Sequence, residues 1–347
     1  GVMISASHNQ FYDNGIKLFG PDGLKLSDKI ENKISKMMSS DIDLIKPDKL
    51  GRVKRLDDSV GRYIEYVKSI VPRGQRFEGI KVVVDCANGA AYKAAPDALF
   101  ELGADVIPIS ISPDGFNINK QCGAVHPFKM SEAVKKNKAD IGIAFDGDAD
   151  RLIMSDEKGN IVDGDQLLAV LAGKMLAENS LKKRIVVGTS MTNLGLELWL
   201  KDHGLYLFRT SVGDRYVSEK IHKDDLSLGG EPSGHILMPQ YSLTGDALIN
   251  SMILLTELKK SSKAASETLR RFKPVPQVIK NVDNVDKRTL EKSGVKKEIL
   301  NIMNEIGKEG RLVVRPSGTE PLIRIMMEGN DESLIASTIK KVESLFR

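Results

Sequence analysis

The chain has 347 residues, 41% of them hydrophobic and 28% charged, which suits two to four globular domains and excludes a disordered or fibrous protein. A net charge of +4 with only 5% aromatic residues excludes a basic, aromatic-rich face for nucleic acid and fits small anionic ligands. Cys86 and Cys122 are the only cysteines, too few for a disulfide framework or a thiolate metal cluster, so a reducing, cytoplasmic setting is expected.

No apolar run reaches the length of a membrane span, so no membrane partner is expected. The chain opens on Gly1 inside a strand-like run without an initiator Met, and a missing start is the expectation. That run gives way to Ser5-Ala6-Ser7-His8-Asn9, a small-residue loop in which a serine is approachable. Asn14-Gly15-Ile16-Lys17 adds polar groups nearby, and Pro21-Asp22-Gly23 is a turn. Helices are predicted over 27–38 and 59–70, the second ended by Pro72. A strand over 80–84, a helix starting at Asn88-Gly89-Ala90-Ala91 and a strand over 106–111 form an α/β unit. Its glycines lack the Gly-x-Gly-x-x-Gly spacing of a dinucleotide site. Asn117-Ile118-Asn119 and a helix near Met130 lead to a buried strand, Ile141 to Phe145.

That strand opens into Asp146-Gly147-Asp148-Ala149-Asp150-Arg151. Three carboxylates alternating with small residues can turn their oxygens on one point, which suits a divalent cation such as Mg²⁺ with positions left for water or phosphate. Arg151 adds a positive fork fitted to phosphate. An EF-hand is excluded, because Arg151 stands where the sharp turn needs Gly and a strand precedes the loop. An aspartyl nucleophile of a phosphatase and a plain solvated acidic turn stay open on this stretch alone.

A second unit of similar style follows, with a strand over 184–188, a helix over 193–203 and a strand over 205–209, which suggests repeated α/β domains. Val212-Gly213-Asp214-Arg215 enters another helix. In Gly229-Gly230-Glu231-Pro232-Ser233-Gly234-His235 the glycines constrain Glu231, Ser233 and His235, residues able to read sugar hydroxyls; a hairpin with incidental polar residues is the competing reading. An amphipathic helix is predicted over 246–260, and residues 274–286 read as a linker into a smaller last domain. There, strands over 311–314 and 322–328 flank Arg315-Pro316-Ser317-Gly318-Thr319-Glu320-Pro321. Two hydroxyls, a Gly and flanking Arg315 and Arg324 make that loop an anion nest for a phosphate that is held and not transformed.

Ser-Ala-Ser-His-Asn, Asp-Gly-Asp-Ala-Asp-Arg, Gly-Glu-Pro-Ser-Gly-His and Arg-Pro-Ser-Gly-Thr-Glu-Pro, in this order along the whole chain, resemble the α-D-phosphohexomutase family. The strings at 11–17, 117–119 with Cys122-Gly123, and 212–217 look most like its amino-sugar branch. Gln10 and Pro232 depart from the family pattern without removing a reacting group. The family has further strands before the serine loop, including a Gly-Ile-Arg-Gly loop that this chain does not contain.

The resemblance implies repeated mixed α/β domains followed by a smaller α+β domain, with bounds read at 1–75, 76–178, 179–272 and 273–347. It implies a phosphoserine at Ser7, flanked by His8, Lys17 and Arg151. One Mg²⁺ per active site would be held by Asp146, Asp148, Asp150 and the Ser7 phosphate. Substrate would meet Gly213, Asp214, Glu231, Ser233, His235, Arg315, Ser317, Gly318, Thr319 and Arg324. The implied reaction interconverts hexosamine 6- and 1-phosphates through a bisphosphorylated sugar and feeds nucleotide-sugar and cell-wall precursor synthesis. Glucose or mannose phosphates are the alternative substrates, a hexose or hexosamine 1,6-bisphosphate is the implied activator, and a homodimer is allowed.

Overall fold

The computed structural model describes residues 1–41, 43–307, 310–316 and 322–346, with the side chain of Asp28 also left aside. The chain divides into two units, Gly1–Leu167 with Ser233–Leu269, and Leu168–Pro232 with Arg270–Arg347.

The first unit is built on a five-stranded sheet in the order Asp105–Ile109, Lys81–Asp85, Ile141–Phe145, Leu152–Asp156, Ile161–Val162. The first three strands run parallel, Leu152–Asp156 pairs antiparallel with Ile141–Phe145, and Ile161–Val162 pairs antiparallel with Leu152–Asp156 in turn. All five residues of Ile141–Phe145 are buried, which is why this strand reads as an unbroken apolar run and not as an alternation. Helix Phe128–Asn137 covers one face, setting Met130 and Val134 against Val83 and Ala144. Helix Ala247–Ser261 packs on Ile141–Phe145 and Leu152–Asp156 and is itself covered by helix Ser59–Ile70. It is buried nearly all round, where the sequence predicts a single apolar stripe, because it has both a sheet and a helix to face. A separate ribbon pairs Val2–Ser5 antiparallel with Gly15–Leu18, in a register that puts Met3 opposite Lys17.

In the second unit, strand Ile185–Thr189 lies between Tyr206–Thr210 and Gly229–Gly230, both parallel to it. Helices Leu194–Asp202 and Asp214–Lys223 accompany them. The C-terminal part is an antiparallel sheet with Leu322–Gly329 between Gln277–Asp283 and Gly310–Pro316. Ile302 and Ile306 from helix Ser293–Ile306 and Ile335 and Ile339 from helix Glu332–Glu343 close its core over Leu312, Ile325 and Met327. Each such side chain contributes about 1.5–3 kcal/mol on burial.

One expectation is corrected here: residues 274–286 are not a plain linker. Gln277–Asp283 is an edge strand paired over its whole length with Leu322–Gly329. It reads as linker because nearly all of its side chains face solvent, and only the ladder reveals it.

Candidate active site

Asp146 directly follows strand Ile141–Phe145 and is fully buried, at 0% exposure. Its Oδ1 accepts the backbone N–H groups of Asp150 at 3.1 Å and Arg151 at 3.0 Å, which curls the loop around it. Ala149 takes a positive φ of 59°, so Asp148 and Asp150 point back toward Asp146. Carboxylate oxygens of the three lie within 4.8 Å of one another. Asp148 Oδ2 accepts Ser5 Oγ at 3.0 Å and Lys17 Nζ at 2.5 Å. Lys17 also stands 3.8 Å from Asp150. The His235 ring approaches Asp150 with Nδ1 at 3.5 Å, an ion-pair distance and too long for a good hydrogen bond.

The remaining oxygens test whether a cation fits. Asp146 Oδ2, Asp148 Oδ1 and Asp150 Oδ1 are buried without a hydrogen-bond partner among the described residues. Buried carboxylate oxygens without hydrogen bonds are costly, Asp150 Oδ1 and Asp146 Oδ2 having only the looser approaches of His235 Nδ1 at 3.5 Å and Arg151 Nε at 3.9 Å, and the set matches the hard-oxygen donors of a small divalent cation. The titration of the loop reflects the same crowding. Burial, followed by the Asp150 and Asp148 charges, pushes the Asp146 carboxyl up to about 8. For Asp150 burial acts upward too, but the His235 ring, Lys17 and Arg151 together hold it well below the usual carboxylate range. Asp146, with one oxygen taken by two N–H groups and no exposure, is poorly placed as an aspartyl nucleophile.

Ser7 sits against this loop. Its φ is +52°, a left-handed conformation that costs a non-glycine residue about 1–2 kcal/mol and persists only where the surroundings impose it. Ser7 N donates to Ser5 Oγ at 2.8 Å, and Ser5 in turn donates to Asp148, so the serine loop and the acidic loop share one chain of hydrogen bonds. Ser7 Oγ lies 3.3 Å from His8 Nδ1. Burial and then the Arg151 charge lower the His8 pKa, with Asp150 and Asp148 acting against them, so the imidazole is mainly neutral at pH 7. Two glycines make the approach possible. A Cβ on Gly147 would stand 2.5 Å from Ser7 O, and one on Gly89 would stand 2.2 Å from Gly147 O.

The structure also ties His235 to this loop. An isolated bridge pairs His235 with Arg151, and Leu152 N donates to Gly234 O at 3.0 Å. Ala247 N, at the start of helix Ala247–Ser261, donates to Ala149 O at 3.0 Å. Asp246 caps that helix by accepting Ile249 N, and both its oxygens accept Tyr63 Oη at 2.9 Å. The sequence groups Glu231, Ser233 and His235 as one polar loop; Ser233 and His235 belong to the first unit and Glu231 to the second.

In the second unit, Glu231 Oε1 accepts Gly213 N at 3.0 Å, just ahead of helix Asp214–Lys223. Asp214 Oδ1 accepts Arg215 N at 2.8 Å in the first turn of that helix. Arg315 and Arg324 are direct cross-strand partners. Burial and the facing Arg324 lower the Arg315 pKa, with Glu231 opposing, and Arg315 Nε is buried without a hydrogen-bond partner among the described residues. Ser317, Gly318, Thr319, Glu320 and Pro321 lie outside the described residues. Sequence reasoning missed Ser5, Tyr63, Asp246 and the role of Gly147, since nothing in a short string says which polar residue a remote loop will meet.

Four family models match the chain in order. They are the phosphoglucomutase/phosphomannomutase alpha/beta/alpha domains I, II and III over residues 1–43, 61–159 and 163–275, and the C-terminal domain over 275–344. Among solved structures, a phosphoglucomutase/phosphomannomutase family protein from Burkholderia thailandensis aligns with a TM-score of 0.77 at 20% identity, over 99% of this chain and 75% of that one. Aspergillus fumigatus N-acetylphosphoglucosamine mutase, solved with GlcNAc-6P and magnesium, aligns at 0.72 and 20% identity, over 99% and 88%. At such identities these show the fold alone. The chain belongs to the phosphoglucomutase/phosphomannomutase family, and it is an isomerase that moves a phosphoryl group within a sugar.

Its curated relatives are narrower in kind. A phosphoglucosamine mutase from Chelativorans sp. is 51% identical over 99% of this chain and 76% of its own length. One from Mesorhizobium japonicum is 52% identical over the same shares. No helix among the described residues is long and apolar enough to cross a membrane.

Proposed function

We propose that this enzyme interconverts glucosamine 6-phosphate and glucosamine 1-phosphate through a phosphorylated Ser7 and a bisphosphorylated sugar. The observation that carries the reading is the strained Ser7 loop hydrogen-bonded into a cluster of three carboxylates with unpartnered buried oxygens. The relatives at half identity support the amino sugar, and the fungal neighbour solved with GlcNAc-6P and magnesium supports Mg²⁺ as the cation.

Asp146, Asp148 and Asp150, joined by an oxygen of the Ser7 phosphate, would hold the Mg²⁺. When bound, the ion supplies positive charge against the phosphoryl oxygens. The rest of the step belongs to the chain. A sugar hydroxyl attacks the seryl phosphorus, the P–Oγ bond breaks, and the hydroxyl proton passes to His8 and on to the leaving Ser7 Oγ, 3.3 Å from its Nδ1. The reverse transfer, from the other end of the sugar, restores phosphoserine and leaves the isomer. Arg151 and Lys17 neutralise charge on the moving group, work that depends on positioning more than on covalent help. Gly213, Asp214, Glu231, Ser233 and His235 are assigned to the sugar. Arg315, Ser317, Gly318, Thr319 and Arg324 are assigned to the phosphate that is held. A hexose or hexosamine 1,6-bisphosphate would prime an unphosphorylated Ser7. The bounds 1–75, 76–178, 179–272 and 273–347 are kept as the domain proposal.

A phosphorus NMR time course with glucosamine 6-phosphate, Mg²⁺ and a trace of bisphosphate tests the reading. Growth of glucosamine 1-phosphate, faster than conversion of glucose 6-phosphate and without free phosphate, is expected. Faster conversion of glucose would transfer the assignment to a phosphoglucomutase, and free phosphate alone would make the chain a phosphatase.

A further inference from the structure

Asn117-Ile118-Asn119 carries part of the family resemblance, yet the reaction above assigns it nothing. Its last residue is one of the most constrained polar groups in the first unit. Asn119 is 2% exposed and takes a positive φ of 57°. Its Nδ2 donates to two carbonyls of the serine loop, Ser7 O at 2.8 Å and Asn9 O at 2.7 Å. Its Oδ1 is buried without a hydrogen-bond partner among the described residues. The two carbonyls fix the orientation of the amide: turned over, the oxygen would face two carbonyl oxygens and lose both bonds.

The residue is held by the sheet and not by its own loop. Asn119 N donates to Ala87 O at 2.9 Å, just beyond strand Lys81–Asp85, and Ala124 N donates to Phe145 O at 2.8 Å, at the end of strand Ile141–Phe145. Between these anchors Gly123 passes so close that a Cβ there would stand 2.4 Å from Phe145 O. The strand whose end carries the acidic loop therefore also anchors the segment bearing Asn119. On its other side Asn119 Nδ2 meets Gly147, where a Cβ would stand 2.6 Å away.

We infer that Asn119 is a positioning residue for phosphoryl transfer, whose amide clamps Ser7 O and Asn9 O and so holds the serine loop in its left-handed turn against the acidic loop. Two donors from one rigid amide are what such a turn needs. Asn119 fixes the carbonyls of Ser7 and Asn9 and Ser5 Oγ fixes the Ser7 N–H, while Ser7 Oγ is held by neither and meets only the His8 ring among the described residues. The role of the clamp in catalysis rests on the function proposed above; the clamp itself does not.

Asn119→Asp keeps the side-chain volume and replaces the double donor with an acceptor that repels both carbonyls. Hydrogen exchange of residues 5–11 should rise about tenfold or more in the magnesium-loaded variant, with exchange in strand Ile141–Phe145 unchanged. Turnover should fall about 100-fold, as expected for a reacting group displaced by about 1 Å. KM for glucosamine 6-phosphate and the affinity for Mn²⁺ should stay within about threefold of the parent. Asn119→Ala, which removes the donors without adding charge, should move the same readouts in the same direction and carries the test if the aspartate variant does not fold. Unchanged exchange over 5–11, or KM and Mn²⁺ affinity lost in step with turnover, would overturn the inference. A parent chain that forms no glucosamine 1-phosphate would sink the proposed function instead, leaving the exchange data to decide on the clamp.

Discussion

The carboxylates of Asp146, Asp148 and Asp150 and the guanidinium groups of Arg315 and Arg324 are both clusters of like charge, and the two units stabilise them differently. In the first unit the repulsion is divided among neighbours: backbone N–H groups take one oxygen of Asp146, and Lys17 and Ser5 take one of Asp148. One acid is pushed up to about 8 and another is held low, so the cluster can keep a proton until a cation replaces it. Arginine has no such recourse, because it does not give up its proton near neutral pH. Arg315 and Arg324 face each other across a ladder, with burial and mutual repulsion both acting against the charge of Arg315. Arg311, four residues earlier on the same strand, shows the satisfied case: it pairs with buried Glu328 and donates to Ser190 O at 2.6 Å and Thr192 O at 2.9 Å. Arg311 is thus an arginine whose charge is paired within the fold, whereas Arg315 and Arg324 meet as like charges.

Removing the reacting group should have the largest effect. Ser7→Ala is expected to cut turnover by about 10⁴-fold or more while leaving the melting temperature close to the parent's. Intact-mass spectrometry should at the same time show no phosphorylated protein; residual mutase activity near the parent level would move the nucleophile elsewhere.

Asp148→Asn probes the acidic side of the comparison. It removes one cation ligand and the anionic partner of Lys17, and Mn²⁺ affinity followed by titration should fall more than about 100-fold, with glucosamine phosphate binding much less affected. An equal loss of both would mean that the two clusters are not separable in function.

Arg315→Ala probes the basic side. Losing a charge-assisted phosphate contact is worth about 1.5–3 kcal/mol, so KM should rise by roughly 10- to 150-fold with Mn²⁺ affinity unchanged. Arg311→Ala should instead lower the melting temperature, because it leaves the buried Glu328 carboxylate without its counter-ion, with only Leu194 N and Gln277 Nε2 on its other oxygen. The comparison breaks if Arg311→Ala raises KM and Arg315→Ala only destabilises.

The smallest expected effect is a pH dependence. The folded-state pKa of Asp146 is raised, so its contribution to the stability of the metal-free chain is present below about pH 4 and is lost as pH rises through about 8. Asp150 is depressed, so its contribution is present above about pH 4 and is lost in acid. A cation competes with the proton on Asp146, and apparent affinity should therefore drop by up to about tenfold per pH unit below 8. Melting curves with and without Mg²⁺ at pH 6 and pH 8.5 should show the larger gain at pH 8.5. A gain independent of pH would mean that Asp146 is already ionised in the metal-free protein.

Local strings carried a great deal of this protein. Ile141–Phe145 announces a doubly covered strand by its unbroken apolar run, and the alternating acids behind it announce a cation site, because side-chain chemistry and spacing suffice for both. The cross-strand facing of Arg315 and Arg324 follows from two strands joined by a short loop. Pairings between distant segments were not legible. Gln277–Asp283 looks like linker until Leu322–Gly329 supplies its ladder, and Ser5 looks like turn filler until Asp148 arrives from 143 residues away. His235 reads as a sugar ligand in its own loop and stands beside Asp150 in the fold.

The sequence by itself determined which groups can do chemistry here, since carboxylates, guanidinium groups and an approachable serine keep their reactivity wherever they sit. Tertiary structure alone decided which of them share a field. The burial that drives the Asp146 shift, the Lys17 and His235 charges that act on Asp150 and the two bonds from Asn119 all come from segments remote in the chain, although Asp148 and Asp150 add their own local repulsion to Asp146. Composition and spacing name the reagents, and the long-range packing of loops at strand ends sets their charge and geometry.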